Sequence, residues 1–255
     1  MKRAFIRGLW GNIWHDPKET TDRGLKIAKD INRVTNSKFQ ADFVTYVFGK
    51  DNEIALKNEF GLKTKLVDRS PIVWDMTDEL YRHKLEILKI AMQDYDEIVY
   101  LDWDCILVKP LLADFWERLN KKDSFQGNLF QYRTKKCLWR DDDLRKVVNG
   151  GFLYMRDKTI PDKMIHNWDG LRQWALDIQS ARREQGKELR LRERSLMFDD
   201  EPSITKYVDD AMDGWKGVDE FWDRFEADVC RLKKKSAYSI DNKEALKNNC
   251  FVHML

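Results

Sequence analysis

The spacing of apolar and polar positions along the chain switches repeatedly between a period of two and a period of about 3.6, so that strands and helices alternate. RAFIRGL, residues 3–9, reads as a first strand, with Gly8 and the loop over 10–17 as its exit. Leu25, Ala28, Ile31 and Val34 recur at helical spacing, and Thr20 or Thr21 can cap a helix running to Val34. Residues 42–48 form a strong strand pattern that Gly49 and Asp51 break. A short helix over 54–60 stops at Gly61, and residues 63–67 give a weaker third strand. Beyond a loop with Pro71 and Trp74, a long helix over 77–93 carries Leu80, Lys84, Leu88 and Ala91 along one side and feeds an apolar strand.

The second half is less regular. It predicts a short helix over 113–119, a strand over 124–130, a charged loop over 133–146 and an apolar strand over 147–155. That last strand is broken by Asn149, Gly150 and Gly151; glycine inside a strand implies a bulge or a close approach to the backbone. Pro161 opens a helix to residue 178, followed by an exposed extension and surface loop over 181–195. Helices over 201–212 and 218–232 follow, the latter with Phe221, Trp222 and Phe225, and residues 250–255 form a short terminal strand containing His253. Strands separated by helices at this spacing predict right-handed βαβ units and a mostly parallel sheet. With no internal repeat and no Gly/Ser/Pro-rich linker, residues 1–255 are expected to form one α/β, Rossmann-like domain. Its nucleotide-binding half spans 1–110 and its acceptor half 111–255.

The stretch EIVYLDWDCILVKP, residues 97–110, organises the rest. An apolar run leads into Asp102 and Asp104, and a second apolar run leaves. Side chains that follow a buried strand emerge at the carboxyl edge of the sheet, where open α/β sheets bind ligands. Two carboxylates there suit a hard divalent cation, Mn²⁺ or Mg²⁺, which takes oxygen ligands and shares them with phosphates; the alternative is a pair of turn residues closing a strand. Two other Asp-x-Asp pairs exist. Asp94 with Asp96 sits in a polar turn, and Asp141 with Asp143 in a charged segment better explained as a solvated face.

Composition narrows the classes. Charged residues make up 35% of the 255 and the net charge is +2, so no global field favours nucleic acid or a membrane surface. Aromatics at 12%, with ten tryptophans, fit a globular chain with aromatic-lined clefts. Cys105, Cys137, Cys230 and Cys250 form no Cys-x-x-Cys pair, which argues against a zinc ribbon and fits a reduced compartment. Arg7 and Gly8 break the N-terminal apolar stretch, a poor signal peptide, and no window reaches the roughly 20 apolar residues of a membrane span. The expectation is a cytoplasmic protein.

YDEIVYLDWDCILVKPL resembles the Asp-x-Asp segment of GT-A nucleotide-sugar glycosyltransferases. Three further segments match in order: Arg82-His83-Lys84-Leu85 and Asn149-Gly150-Gly151-Phe152-Leu153 are similar to the basic-residue and Asn-(Ala/Ser)-Gly segments of glycosyltransferase family 8, and Asp200-Glu201 stands where that family has Asp-Gln. His253 in Phe251-Val252-His253 resembles its late metal-binding histidine. The tryptophan between the aspartates and the proline after them are similar to family 32. Glu201 in place of glutamine is a departure from the family 8 pattern.

The resemblance implies a GT-A fold and transfer of a sugar from a nucleoside diphosphate sugar to a hydroxyl acceptor such as a glycan, with retention of anomeric configuration. A UDP-sugar is the first expectation for the donor and a GDP-sugar the second. Asp102, Asp104 and His253 would hold the cation; a histidine packed in a terminal strand is the alternative for His253. Lys84 or Arg82 would add positive charge near phosphate or sugar, unless both are solvated bases of an amphipathic helix. Arg7, Gly8 and Trp10 would face the nucleotide, with Trp10 or Trp14 stacking on a base, although core packing explains either tryptophan equally. Asn149 would bond a sugar hydroxyl while Gly150 and Gly151 let the donor lie against the strand. Asp200 would bind sugar hydroxyls and Glu201 would lie beneath the anomeric carbon, while helix capping alone also explains acids at that helix start. An inverting enzyme would instead use Asp199 or Asp200 as a base. A sugar nucleotidyltransferase is a rival, but Arg7-Gly8-Leu9-Trp10-Gly11 is poor in glycine for a phosphate loop. A non-catalytic carbohydrate- or partner-binding domain is another.

Overall fold

The computed structural model describes residues 1–10, 42–68, 82–102, 105–107, 111, 113–120, 124–131, 146–188, 200–211, 229–232 and 251–254. The predicted helices over 20–34 and over 218–228, the charged loop over 133–145, and Asp104, Asp141 and Asp143 lie outside these residues.

A six-stranded sheet forms the centre, in the order β3-β2-β1-β4-β7-β6. β1 (Arg3–Leu9), β2 (Asp42–Phe48), β3 (Thr64–Asp68) and β4 (Glu97–Leu101) are mutually parallel, whereas β7 (Lys146–Met155) runs antiparallel to both β4 and β6 (Phe125–Gln131). The sheet is therefore mostly parallel, with an antiparallel flank. β5 (Cys105–Leu107), β9 (Phe251–Met254) and β8 (Val229–Leu232) form a separate three-stranded sheet, with β5 and β9 antiparallel and β8 and β9 parallel.

Alternation along the central strands sends side chains to two cores. Ala4, Ile6, Ile98, Tyr100, Leu153 and Met155 pack on one face with α2 (Arg82–Asp94), α4 (Ile160–Glu184) and α5 (Glu201–Ala211). Phe5, Val99, Leu101, Phe152 and Tyr154 pack on the other with Phe115, Trp116 and Leu119 of α3 (Phe115–Asn120). Full burial of side chains of this size contributes about 1.5–3 kcal/mol each.

The predicted strand over 3–9 and the one over 42–48 coincide with β1 and β2. α1 (Lys50–Phe60) begins four residues before the apolar pattern does. Its first turn is polar, yet Asp51 and Glu53 suit the positive end of the helix, and Asn52 Nδ2 donates back to the Phe48 carbonyl at 3.0 Å. Gly61 ends it in a left-handed conformation, φ 63°. Two expectations change. The helix predicted through residue 178 continues to Glu184, where Arg182 and Arg183 complement the negative helix end. Residues 229–232, predicted as the end of a helix, are instead a strand, because Val229–Leu232 pairs along β9 with Cys230 opposite Val252. No helix among the described residues is long and apolar enough to cross a membrane.

Candidate active site

α2 is followed directly by β4 and packs against the parallel sheet, so its first turn lies over the carboxyl edge of the strands. The apolar face made by Leu85, Leu88, Ala91 and Met92 also contains Lys84, which the packing carries under the surface to 3% exposure. A lysine in the first turn opposes the helix dipole. Its offset is electrostatic: Lys84 Nζ lies 3.1 Å from Asp102 Oδ1 and 2.8 Å from Asp200 Oδ2. It also donates to the Gly150 carbonyl at 3.4 Å and sits 5.3 Å from the centre of the Tyr100 ring.

Asp102 follows Tyr100 on the strand face that looks toward α2, and its side chain is 30% exposed. Its backbone is fixed on both sides, the N–H donating to Gly151 O and the carbonyl accepting from Cys105 N–H, each at 2.9 Å. Asp200 is buried at the start of α5. Its carbonyl accepts from Ser203 Oγ at 2.7 Å, and Val148 N–H donates to Thr205 Oγ1 at 2.9 Å, so that α5 is pinned to β7.

β7 explains its own glycines. Its pairing with β6 slips between Gly127 and Asn128, with Leu153 opposite Gly127 and Asn149 opposite Asn128, which leaves residues 150–152 as an excess on β7. A Cβ at position 150 would lie 2.4 Å from Asp200 Oδ2 and 2.9 Å from Lys84 Nζ. The close approach signalled by glycine is thus made, at this position, by the protein's own ion pair. Asn149 Oδ1 accepts from Gly151 N–H at 3.0 Å, and its Nδ2 donates to Glu201 Oε1 at 3.3 Å.

The charges act on one another in a dry setting. Burial by itself would lower the Lys84 ammonium, but Asp102 and Asp200 outweigh it and hold the group well above the ordinary lysine value. Burial raises the Asp200 carboxyl above its ordinary value, with Lys84 opposing and Asp102 reinforcing the shift. Burial, then the Asp102 charge, pushes the Tyr100 hydroxyl far up, so it stays protonated and can donate to Asp102. Tyr100 was not singled out from the sequence. Its signal was its place two residues before Asp102, on the same face of the strand.

Lys84, Asp102, Asn149, Gly150, Gly151, Asp200 and Glu201 are therefore brought together. Arg82 is turned away from them, pairing with Glu86 and with Asp169 of α4 at 3.3 Å. Arg7 lies on the opposite face of the sheet, 1% exposed, with its Nη2 donating to the Cys105 carbonyl and its guanidinium 4.9 Å from the Phe43 ring centre. Trp10 packs at the edge of the α2 core, and its ring and Ile87 Cδ1 would both lie 2.5 Å from a Cβ at Gly8. His253 is placed by register, directly across from Cys105 in the β5–β9 pair, next to Asp104 in sequence. Among the described residues no three His, Cys, Asp or Glu side chains are gathered as a metal site.

No family model matches the chain, and no curated protein does. Among solved structures it is similar to the apo form of mouse xyloside xylosyltransferase 1, at 12% identity and a TM-score of 0.49, with 98% of this chain and 97% of that one covered. It is also similar to the apo form of the glycosyltransferase GlyE of Streptococcus pneumoniae TIGR4, at 13% identity and a TM-score of 0.34, with 79% of this chain and 44% of that one covered. Both likenesses are too distant to bear on what the site does.

Proposed function

We propose that this protein is a metal-dependent GT-A glycosyltransferase that moves one sugar from a nucleoside diphosphate sugar to a hydroxyl acceptor such as a glycan, with retention. A UDP-sugar is the first choice of donor. The observation that carries this reading is the convergence of Asp102, Asp200 and Glu201 on Lys84 and Asn149 at the carboxyl edge of a parallel sheet. Asp102 and Asp200 both stand within ion-pair distance of Lys84, and Glu201 accepts from Asn149 beside them, so carboxylate oxygens gather at this edge of the sheet. The half-exposed carboxylate of Asp102, at the edge where ligands of open α/β sheets bind, fits a hard divalent cation such as Mn²⁺ or Mg²⁺.

Asp102, Asp104 and His253 would hold the cation; the register of β5 with β9 brings the His253 backbone across from the residue after Asp104. Bound there, the cation would stabilise the charge of the departing diphosphate as the anomeric bond breaks. Lys84 keeps Asp102 and Asp200 at fixed separation and shields them from each other. Asp200 binds sugar hydroxyls, and Glu201 lies beneath the anomeric carbon, where its carboxylate opposes the positive charge that develops on the ring. Arg7 acts from beneath the sheet, bracing the Cys105 carbonyl and with it the segment that carries Asp104.

A thermal-shift screen of UDP- and GDP-sugars with and without Mn²⁺ tests the reading. Stabilisation that needs both a nucleoside diphosphate sugar and the metal is expected. A non-catalytic carbohydrate-binding module would respond to free sugars and ignore the nucleotide.

A further inference from the structure

Asn149 is 7% exposed in the irregular part of β7, and both ends of its amide are engaged within the protein. The Gly151 N–H needs an acceptor, which only the amide oxygen can be; Nδ2 is thereby the end that faces Glu201. The direction of the amide is set by chemistry, and its donor end holds one oxygen of the Glu201 carboxylate. Glu201 is the first residue of α5, a helix anchored to the same strand through Val148 and Thr205, so carboxylate and amide belong to one rigid unit.

We infer that Asn149 is a positioning residue of the transfer site: its amide aims the Glu201 carboxylate at the reacting carbon, rather than binding a hydroxyl of the donor. This inference rests on the glycosyl-transfer reading. An aspartate at 149 would still accept from Gly151 N–H, but would turn its second oxygen toward a carboxylate that is itself 9% exposed. Like charges at that depth repel strongly. Exchanging the two groups, Asn149→Asp with Glu201→Gln, rebuilds one amide and one carboxylate in contact while moving the carboxylate from the helix to the strand.

The experiment measures thermal unfolding and diphosphate release, the latter with Mn²⁺ and the panel of UDP- and GDP-sugars, for the wild type, both single variants and the exchange variant. Asn149→Asp is expected to lower the unfolding midpoint by about 5 °C. It should also lower kcat about 100-fold, the scale of a misplaced reacting group, with KM changed by less than about threefold. Glu201→Gln still offers Asn149 an amide oxygen and should lose turnover. The exchange variant should recover the midpoint and remain inactive. An unchanged midpoint in Asn149→Asp, or no recovery in the exchange variant, overturns the coupling of the two residues. Recovery of turnover together with the midpoint makes the pair a scaffold only and overturns the positioning role. A wild type that releases diphosphate from no sugar of the panel removes the transfer reading and the positioning role with it, while the midpoints still report whether the two side chains are coupled.

Discussion

Lys84 Nζ lies 2.8 Å from Asp200 Oδ2, and both side chains are only 4% exposed. A buried pair of this kind contributes little beyond an apolar pair of the same shape, but removing one member strands the other without water. Lys84→Met is therefore expected to destabilise the fold by about 3–5 kcal/mol. Lys84→Met combined with Asp200→Asn should regain much of that loss. Urea denaturation of the two variants checks this; equal stability of the single and double variants would contradict the pairing.

Gly150→Ala adds one methyl group where Asp200 Oδ2 and Lys84 Nζ already meet. Overpacking of this kind costs about 1–3 kcal/mol. The same change at Gly170, where a Cβ would meet nothing within 4 Å in the middle of α4, should stabilise by up to about 1 kcal/mol. Denaturation midpoints of the two variants are expected to move in opposite directions.

Acid dependence is expected from the other end of the sheet. Asp94 closes α2, accepts from the Tyr46 hydroxyl at 2.7 Å and pairs with Lys65. Burial raises its carboxyl, but the bonds from Lys65 and Tyr46 outweigh that and leave it below the ordinary aspartate value of 3.8. A carboxyl held low in the fold stabilises it above 3.8 and loses that contribution as pH falls through the folded value. Asp94→Asn should thus be less stable than the wild type by about 1 kcal/mol at neutral pH. The gap should close near pH ~2, once both states are protonated. A gap of the same size at both pH values would place the effect elsewhere.

The parallel half of the fold was legible because β1, β2 and β4 are mainly apolar runs bounded by glycine or by charge. β1 and β2 needed no tertiary information. The placement of Lys84 among Leu80, Leu88 and Ala91 on one side of a helix already carried its burial, but periodicity cannot tell a buried lysine from a solvated one without knowing what faces it. Its partners come from 18 residues away, just past the end of β4, and from the start of α5. Val229–Leu232 was misread because four residues are too few to display either period, and their strand character comes from β9. Arg7 shows the same limit. Its position at the end of β1 was visible, but the parity that turns it to the face opposite Lys84 follows from which side of the sheet α2 covers.

Asp102 is where fold and chemistry meet, held by Gly151 and Cys105 through its backbone and by Lys84 through its side chain. The most direct test is calorimetric titration of the protein with UDP and with GDP, in Mn²⁺ and in a chelator, for the wild type, Asp102→Asn and Asp104→Ala. The account predicts that one of the two nucleotides binds the wild type in Mn²⁺, that a chelator abolishes binding, and that both variants lose it while retaining the wild-type circular dichroism spectrum. Nucleotide binding of equal strength in chelator, or in either variant, would contradict a metal-held diphosphate at Asp102.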